Sequence, residues 1–206
     1  MTENITLDKG LSGQDFTGNS KGGGYTVAVP SWDEESLVGS LSGTVSDINF
    51  VVTAGNLVIT GNSAVFALNN SGTITNMNLD IKAGITEKSE TEDCYFAGLV
   101  HENNGTIEGC TLQVELDASG DAVKDSFISA LCAVNNGTVN DRTVTEGSFT
   151  NADTMDIAGI AAQNNARVVI SNCVTHANIK QAPARHDWSI NSAGKATVHT
   201  RPVSDC

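Results

Sequence analysis

The chain has 206 residues, enough for one large domain, and its 24 acidic and 11 basic residues give a formal net charge of −13. Such an acidic chain repels phosphate backbones, so nucleic acid is not an expected partner. No apolar run reaches the roughly 18 residues of a membrane span, and the start Met1-Thr2-Glu3-Asn4 lacks the basic and apolar regions of a signal peptide. We therefore expect either a cytosolic protein or a fragment whose export signal and anchor lie outside it, and the repeats favour the fragment.

The first 35 residues do not match the rest of the chain. Tyr25, Val27 and Val29 alternate with polar or small residues, a spacing typical of a half-buried strand. We interpret residues 1–35 as an N-terminal cap or a degenerate first coil, because the open end of a stack of strands must be covered to prevent pairing with other chains.

Five segments between residues 36 and 179 share one template. Each has two apolar residues after a small one, then Asn-Asn-Gly-Thr or a variant, then Ile or Val and a second strand. In chain order they are SLVGSLSGTVSDI (36–48), VFALNNSGTITNM (65–77), GLVHENNGTIEGC (98–110), ALCAVNNGTVNDR (130–142) and GIAAQNNARVVISNC (159–173). Strand segments that recur at such a period, without helical periodicity, indicate stacked coils that bury their faces on one another.

The copies align on one small residue, which serves here as the anchor and recurs roughly every 30 residues, within the range of repeat architectures. The anchors are Gly43, Gly72, Gly105, Gly137 and Ala166. Large apolar residues stand six positions before them: Leu37, Phe66, Leu99, Leu131 and Ile160. β-Branched residues stand two positions after the first four: Val45, Ile74, Ile107 and Val139. These positions predict two continuous buried columns in an all-β, right-handed parallel β-helix (β-solenoid) of about five coils, roughly 4.8 Å apart.

Alternation after the anchor predicts which side chains point inward. The inward set is Met77, Leu79, Ile81, Cys110, Leu112, Val114 and Leu116. The outward set is Asn78, Asp80, Thr111, Gln113 and Glu115. A period of two is that of strands with one buried face.

The Asn-Asn-Gly corner has a conformational explanation, because Gly and Asn tolerate positive φ best. We also expect stacked Asn side chains to form a hydrogen-bonded ladder. Four N-x-[ST] sequons arise, at Asn4, Asn69, Asn104 and Asn136. We interpret them as corner chemistry and not as glycosylation sites.

Two copies depart from the template. Arg142 stands where Met77, Cys110 and Cys173 stand, so either that rung is loosened or the register slips there. The last copy has Ala166-Arg167 in place of Gly-Thr and two extra residues before Cys173. Residues 180–206 match nothing in the template, and we interpret them as a C-terminal cap, a disordered tail or a foreign sequence.

The string Gly-Leu-Val…Asn-Gly-Thr-Ile…Cys at 98–110 resembles the GLUG repeat motif. That family occurs in large exported bacterial proteins, including adhesin-like proteins and the non-catalytic part of some immunoglobulin A peptidases. The resemblance covers roughly residues 36–179, and it implies a β-solenoid in a secreted or cell-surface setting.

Five cysteines occur, and their odd number and irregular spacing argue against a disulfide framework or a zinc site. We interpret Cys110 and Cys173 as small buried hydrophobes. They lie two rungs apart, about 9.6 Å, which is beyond the roughly 7 Å limit for a disulfide. Cys206, in the unmatched tail, is expected to be the most accessible thiol.

Catalysis is the main rival to a structural role, because parallel β-helices also host polysaccharide lyases and hydrolases. Such enzymes need acidic, basic and cationic groups in a groove, with aromatics to stack sugars. The chain has only three arginines, Arg142, Arg167 and Arg185, and its two tryptophans, Trp32 and Trp188, stand near opposite ends. We therefore expect no catalytic residues and no enzyme activity.

Other candidate sites have simpler explanations. His101, His176, His186 and His199 show no metal-ligand spacing. The acidic stretch 87–93 lacks the D-x-D-x-D-G pattern of a calcium loop and is interpreted as a solvated loop. The threonine column at Thr44, Thr73, Thr106 and Thr138 suggests an ice-binding face, but only Thr73-x-Thr75 forms the T-x-T pair that such a face needs. We expect no metal and no cofactor.

The sequence favours a non-catalytic repeat segment of an exported bacterial surface protein, acting in adhesion or as a display spacer. A glycan-degrading β-helix enzyme, a lyase or a hydrolase, is the alternative. The expected partners are a host protein or a glycan, and the expected state is a monomeric fragment of a larger chain, secreted or at the cell surface. The residues that bind a partner are not identified by the sequence.

Overall fold

A computed structural model of the chain describes residues 3–7, 14–30, 35–59, 61–87, 93–119, 126–140, 144–151, 155–165 and 168–181. These residues form 22 strands, numbered β1–β22 along the chain, and no helix. All strand pairings among them are parallel. The predicted all-β parallel solenoid is confirmed.

Four sheets run along the stack. The seven-stranded sheet contains β1 (Ile5–Thr6), β3 (Thr26–Val29), β6 (Asn49–Ile59), β10 (Asn78–Glu87), β14 (Thr111–Ser119), β18 (Val144–Asn151) and β22 (Val174–Gln181). The six-stranded sheet contains β2 (Asn19–Lys21), β5 (Thr44–Ser46), β9 (Thr73–Thr75), β13 (Thr106–Glu108), β17 (Thr138–Asn140) and β21 (Val169–Ile170). The five-stranded sheet contains β4 (Val38–Leu41), β8 (Ala67–Asn70), β12 (Val100–Asn103), β16 (Cys132–Asn135) and β20 (Ala161–Asn164). The four-stranded sheet contains β7 (Ser63–Ala64), β11 (Cys94–Ala97), β15 (Ser126–Ser129) and β19 (Met155–Ala158).

Each full turn contributes one strand to every sheet. About three turns, β7–β10, β11–β14 and β15–β18, form the interior of the stack, slightly fewer than the five coils predicted. The difference lies at the two ends, since the strands before β7 supply only three of the four sheets and β19–β22 pair on one side only. The handedness of the coil stays a prediction.

The core runs along the axis and contains both predicted columns. All nine residues of those columns are buried. The seven residues predicted to point inward, which lie on β10 and β14 or directly before them, are also buried. The five predicted outward residues are exposed. The period-two assignment is therefore confirmed for these strands.

The first turn joins the stack through β2 and β3, which pair with β5 and β6. Val27 and Val29 are buried as predicted, but Tyr25 is 37% exposed and does not share their column. At the other end β22 runs to Gln181, and the rest of the predicted tail lies outside the described residues.

Pairing across the fourth copy settles how the chain accommodates its irregular sequence. Asn140 pairs with Glu108, and Val144 pairs with Thr111. The step from Asn140 to Val144 is one position longer than the step between their partners. This copy therefore contains one extra residue. Of the two predicted alternatives, a loosened rung or a slip in register, the pairing agrees with the slip. Arg142 itself lies outside the described residues.

The last copy gains its two extra residues where the sequence placed them. Asn164 pairs with Asn135, and Val169 pairs with Thr138, so the step between pairs is two positions longer in the last copy. Ala166 and Arg167, which fall in this interval, lie outside the described residues.

The anchor glycines are required by close packing between turns, which corrects the prediction that they adopt positive φ. A Cβ on Gly105 would lie 2.1 Å from the carbonyl oxygen of Gly72, and one on Gly137 would lie 2.2 Å from that of Gly105. Positive φ occurs instead at the next corner. The residues that adopt it there are Asp47 (54°), Asn76 (51°), Gly109 (61°) and Asn172 (53°).

Candidate functional site: the long face and its groove

The Asn-Asn-Gly corners build a hydrogen-bonded ladder inside the solenoid. Asn70 Nδ2 donates to Asn103 Oδ1, Asn103 to Asn135, and Asn135 to Asn164, each at 2.8 Å. The predicted ladder is confirmed. Because Asn70, Asn103 and Asn135 are fully buried, their amides hold the turns in register and are unavailable to a ligand.

The widest outer surface is the outward side of the seven-stranded sheet, which we call the long face. Its central strands, β6, β10 and β14, have 11, 10 and 9 residues. Outward side chains form columns along the axis where residues of these strands pair directly. Asn49, Asn78 and Thr111 share one column, and Val51, Asp80 and Gln113 share the next. In these two columns the side chains are three amides, a hydroxyl, a carboxylate and the exposed apolar side chain of Val51.

A shallow groove of about 230 Å³ opens on the long face. It is lined by Asn49, Phe50, Val51, Asn78, Leu79, Asp80, Thr111 and Gln113. Phe50 and Leu79 belong to the core, and Val51 is an exposed apolar residue. Because the side chains of Phe50 and Leu79 point into the core, these two residues line the groove through their backbone, and Val51 is its exposed apolar side chain. The other lining residues carry three amides, a hydroxyl and a carboxylate.

Two of the groove's amides are held in place. Asn78 Nδ2 donates to Asn49 Oδ1 at 2.7 Å, and Asn49 Nδ2 donates to the carbonyl oxygen of Gly24 at 2.6 Å. Beside the groove, Lys82 Nζ lies 3.0 Å from Glu115 Oε2. Among the described residues, nothing hydrogen-bonds to the side chains of Asp80 or Gln113.

A second feature, the aromatic corner, lies where the four- and five-stranded sheets meet. Tyr95 stacks on Phe127 with ring centres 4.7 Å apart, and His101 meets Tyr95 edge-on at 5.9 Å. Tyr95 also packs on a small cluster of buried alanines that is separate from the main core. The sequence did not reveal this corner, because Tyr95 and Phe127 precede the segments that the template aligns.

Electrostatics at the aromatic corner are set by burial. Desolvation lowers the pKa of His101, and the negative charge of Glu102 partly opposes that shift. The Glu102 carboxylate accepts hydrogen bonds from Asn104 Nδ2 at 3.1 Å and Asn136 Nδ2 at 2.8 Å. This carboxylate is therefore engaged within the protein.

The thiols behave as structural residues. Cys94, Cys110, Cys132 and Cys173 are present as thiols, and the absence of a Cys110–Cys173 bridge in solution stays a prediction. Burial raises the pKa of Cys110 and of Cys132 to about 12. Cys173 is only partly buried, which corrects its interpretation as a core residue, and Cys206 lies outside the described residues.

The remaining candidates do not converge. His101 lies on β12 and His176 on β22, in different sheets, and no cluster of three metal-ligating side chains exists within the described part of the chain. The threonine column lies on the six-stranded sheet, whose outward side we call the threonine face, and its members are partly exposed. Most of the acidic stretch 87–93 and all three arginines, both tryptophans, His186 and His199 lie outside the described residues.

Of the sequons, Asn4, Asn69 and Asn104 are exposed and Asn136 is partly buried. Asn136 Nδ2 donates to Asn104 Oδ1 at 3.1 Å, so two of the four amides form an outer ladder beside the buried one. This contact supports the interpretation of these positions as corner chemistry.

Comparisons with protein-family models, with curated proteins and with solved structures found no match for this chain. Within the described residues there is also no helix long and apolar enough to cross a membrane.

Proposed function

We propose that the chain is a non-catalytic repeat segment of an exported bacterial surface protein, acting in adhesion or as a display spacer. The observation that carries the proposal is the long face, where outward polar side chains stand in register from turn to turn. A repeating surface of this kind suits extended contacts that are individually weak and add along the axis. The resemblance of residues 36–179 to GLUG repeats supports the exported setting.

The internal construction suits a spacer. Parallel pairing on four sides and a continuous amide ladder tie each turn to the next. A buried and hydrogen-bonded ladder resists bending because any tilt between turns breaks several hydrogen bonds at once. Length is then gained by adding turns, without a new core.

Binding of the purified chain to an array of immobilised glycans and host extracellular proteins tests adhesion. We expect binding that is lost in a long-face variant, Asp80→Ala with Gln113→Ala, and retained in a threonine-face variant, Thr73→Ala with Thr106→Ala. Equal binding by all three proteins, or none, contradicts adhesion through the long face. Release of new reducing ends from a bound glycan would support the alternative of a glycan-degrading enzyme.

Surface labelling of intact cells of the bacterium that encodes the chain tests the exported setting. Antibodies against the purified solenoid should stain unpermeabilised cells or the culture medium. Staining that appears only after permeabilisation would contradict it.

A further inference from the structure

We propose that the groove on the long face binds a neutral linear glycan that lies parallel to the solenoid axis, one sugar per turn. The inference rests on the proposed function, since it names the class of ligand and the direction in which that ligand lies. The course of the groove supports this direction, because the groove crosses three successive turns, on β6, β10 and β14.

The spacing between successive turns is similar to the length of one sugar in a linear glycan. Neighbouring strands lie about 4.8 Å apart, and a linear chain of β-linked pyranoses advances by a similar length per sugar. The same outward positions recur on each turn, because Asn49, Asn78 and Thr111 pair directly with one another. A polymer with one unit per turn therefore meets a hydrogen-bonding side chain at every unit.

The chemistry of the lining fits a sugar. A pyranose has an apolar face of C–H groups and an edge of hydroxyls, so it needs an apolar surface beside donors and acceptors. Val51, 39% exposed, lies in the groove next to Asp80 in register. The amides of Asn49 and Asn78 are pre-oriented by their own hydrogen bonds, which reduces the entropy lost on binding.

Charge selects a neutral glycan over an acidic one. Among the eight lining residues Asp80 alone carries a charge, and it is negative. The nearest cation on β10, Lys82, is paired with Glu115 at 3.0 Å. A uronic acid or sulfated chain would place its anions beside Asp80 without a free cation on these strands to neutralise them.

Titration calorimetry with neutral oligosaccharides tests the inference. The probes are β-1,4-linked glucose and N-acetylglucosamine oligomers of one to six units, with galacturonate oligomers as the acidic comparison. We expect the affinity for one neutral series to rise steeply, by about tenfold in total or more, up to three units and then to level off, because the groove spans three turns. Galacturonate oligomers should bind at least about tenfold more weakly.

Variants locate the site. Gln113→Ala and Asp80→Ala should each lower the affinity for the trisaccharide several-fold, whereas Thr73→Ala on the threonine face should leave it unchanged. Circular dichroism of each variant should match that of the parent, because all three side chains lie outside the core. A variant that fails this check is replaced by Gln113→Glu, which keeps the size of the side chain and places a second negative charge in the groove.

The outcomes separate this inference from the proposed function. Affinity that does not depend on length, tighter binding of galacturonate, or loss of binding in Thr73→Ala alone overturns the axial glycan while adhesion stands. Binding to host proteins with no binding to either neutral series does the same. Cleavage of the bound oligosaccharide overturns the non-catalytic function itself.

Discussion

Single residues in the apolar columns contact the turns above and below, so a charge placed there has no route to solvent. Leu99 is fully buried, and Thr106 is partly exposed at the corner. We expect Leu99→Asp to lower the free energy of unfolding by about 3 kcal/mol or more, since it buries an unpaired carboxylate. Thr106→Ala should change it by less than about 1 kcal/mol. Chemical denaturation of both variants measures the two changes, and the reverse ranking would contradict the inward and outward assignment.

The anchor glycines give a second test at this scale. Gly105→Ala places a methyl group against the carbonyl oxygen of Gly72, a backbone atom that cannot turn aside. We expect it to lower stability by about 1–3 kcal/mol, the usual range for overpacking. Gly55→Ala is the matched control, because nothing lies within 4 Å of a Cβ there. Equal melting temperatures for the two variants would show that the turns are further apart than the structure has them.

Reactivity of the thiols follows from the same burial. Only the thiolate reacts with alkylating agents, and the pKa of both Cys110 and Cys132 is raised to about 12. At pH 8 we expect neither to be modified by iodoacetamide until denaturant is added, whereas the partly buried Cys173 should react earlier. Mass spectrometry of a time course distinguishes the sites. Early modification of Cys110, or a Cys110–Cys173 linked peptide, would be inconsistent with the register.

At the level of secondary-structure elements, the corner between the five- and six-stranded sheets contains two adjacent asparagines with different roles. Asn103 belongs to the buried ladder, whereas Asn104 is exposed. Asn103→Ala removes the ladder partner of Asn70 and Asn135, and each unsatisfied buried group costs about 1–3 kcal/mol. Asn104→Ala should cost less than about 1 kcal/mol. Thermal denaturation in parallel checks the ranking, and similar losses in both variants would argue against a structural role for the ladder.

Elements were predictable from the sequence where one turn repeats another. The two apolar columns and the alternation of β10 and β14 follow from spacing alone, because a strand with one buried face has a period of two. The irregularity between β6 and β10, where pairing shifts between Lys82 and Gly84, has no counterpart in the template and was not predicted. The positive φ of Asn76 was not predicted either, since the sequence analysis assigned positive φ to the anchor glycines.

Surface sites were harder to predict than the core. The groove joins Asn49, Asn78 and Thr111, which belong to three different turns, so its lining depends on the register between those turns. The aromatic corner depends in addition on how the four- and five-stranded sheets meet. A sequence pattern indicates which side of a strand a residue takes, but not which strands become neighbours around a corner.

For the whole molecule, stability should be graded along the axis, because each turn contacts only the turns beside it. Strands β12, β13 and β14 pair on both sides, whereas β1 and β22 lie at the ends of their sheet. Amide hydrogens of central strands exchange only when several turns open, whereas those of end strands exchange by local fraying.

Hydrogen–deuterium exchange resolved by peptide measures this gradient. We expect protection to be greatest in peptides covering 99–116 and to fall towards β3 on one side and β22 on the other. Gly105→Ala should accelerate exchange in its own turn and in the turn of Gly72, since it disrupts the close contact that joins these two turns. Gly55→Ala should leave the gradient unchanged. Uniform protection along the chain, with loss of protection everywhere at once in Gly105→Ala, would instead indicate that the solenoid unfolds as a single cooperative unit.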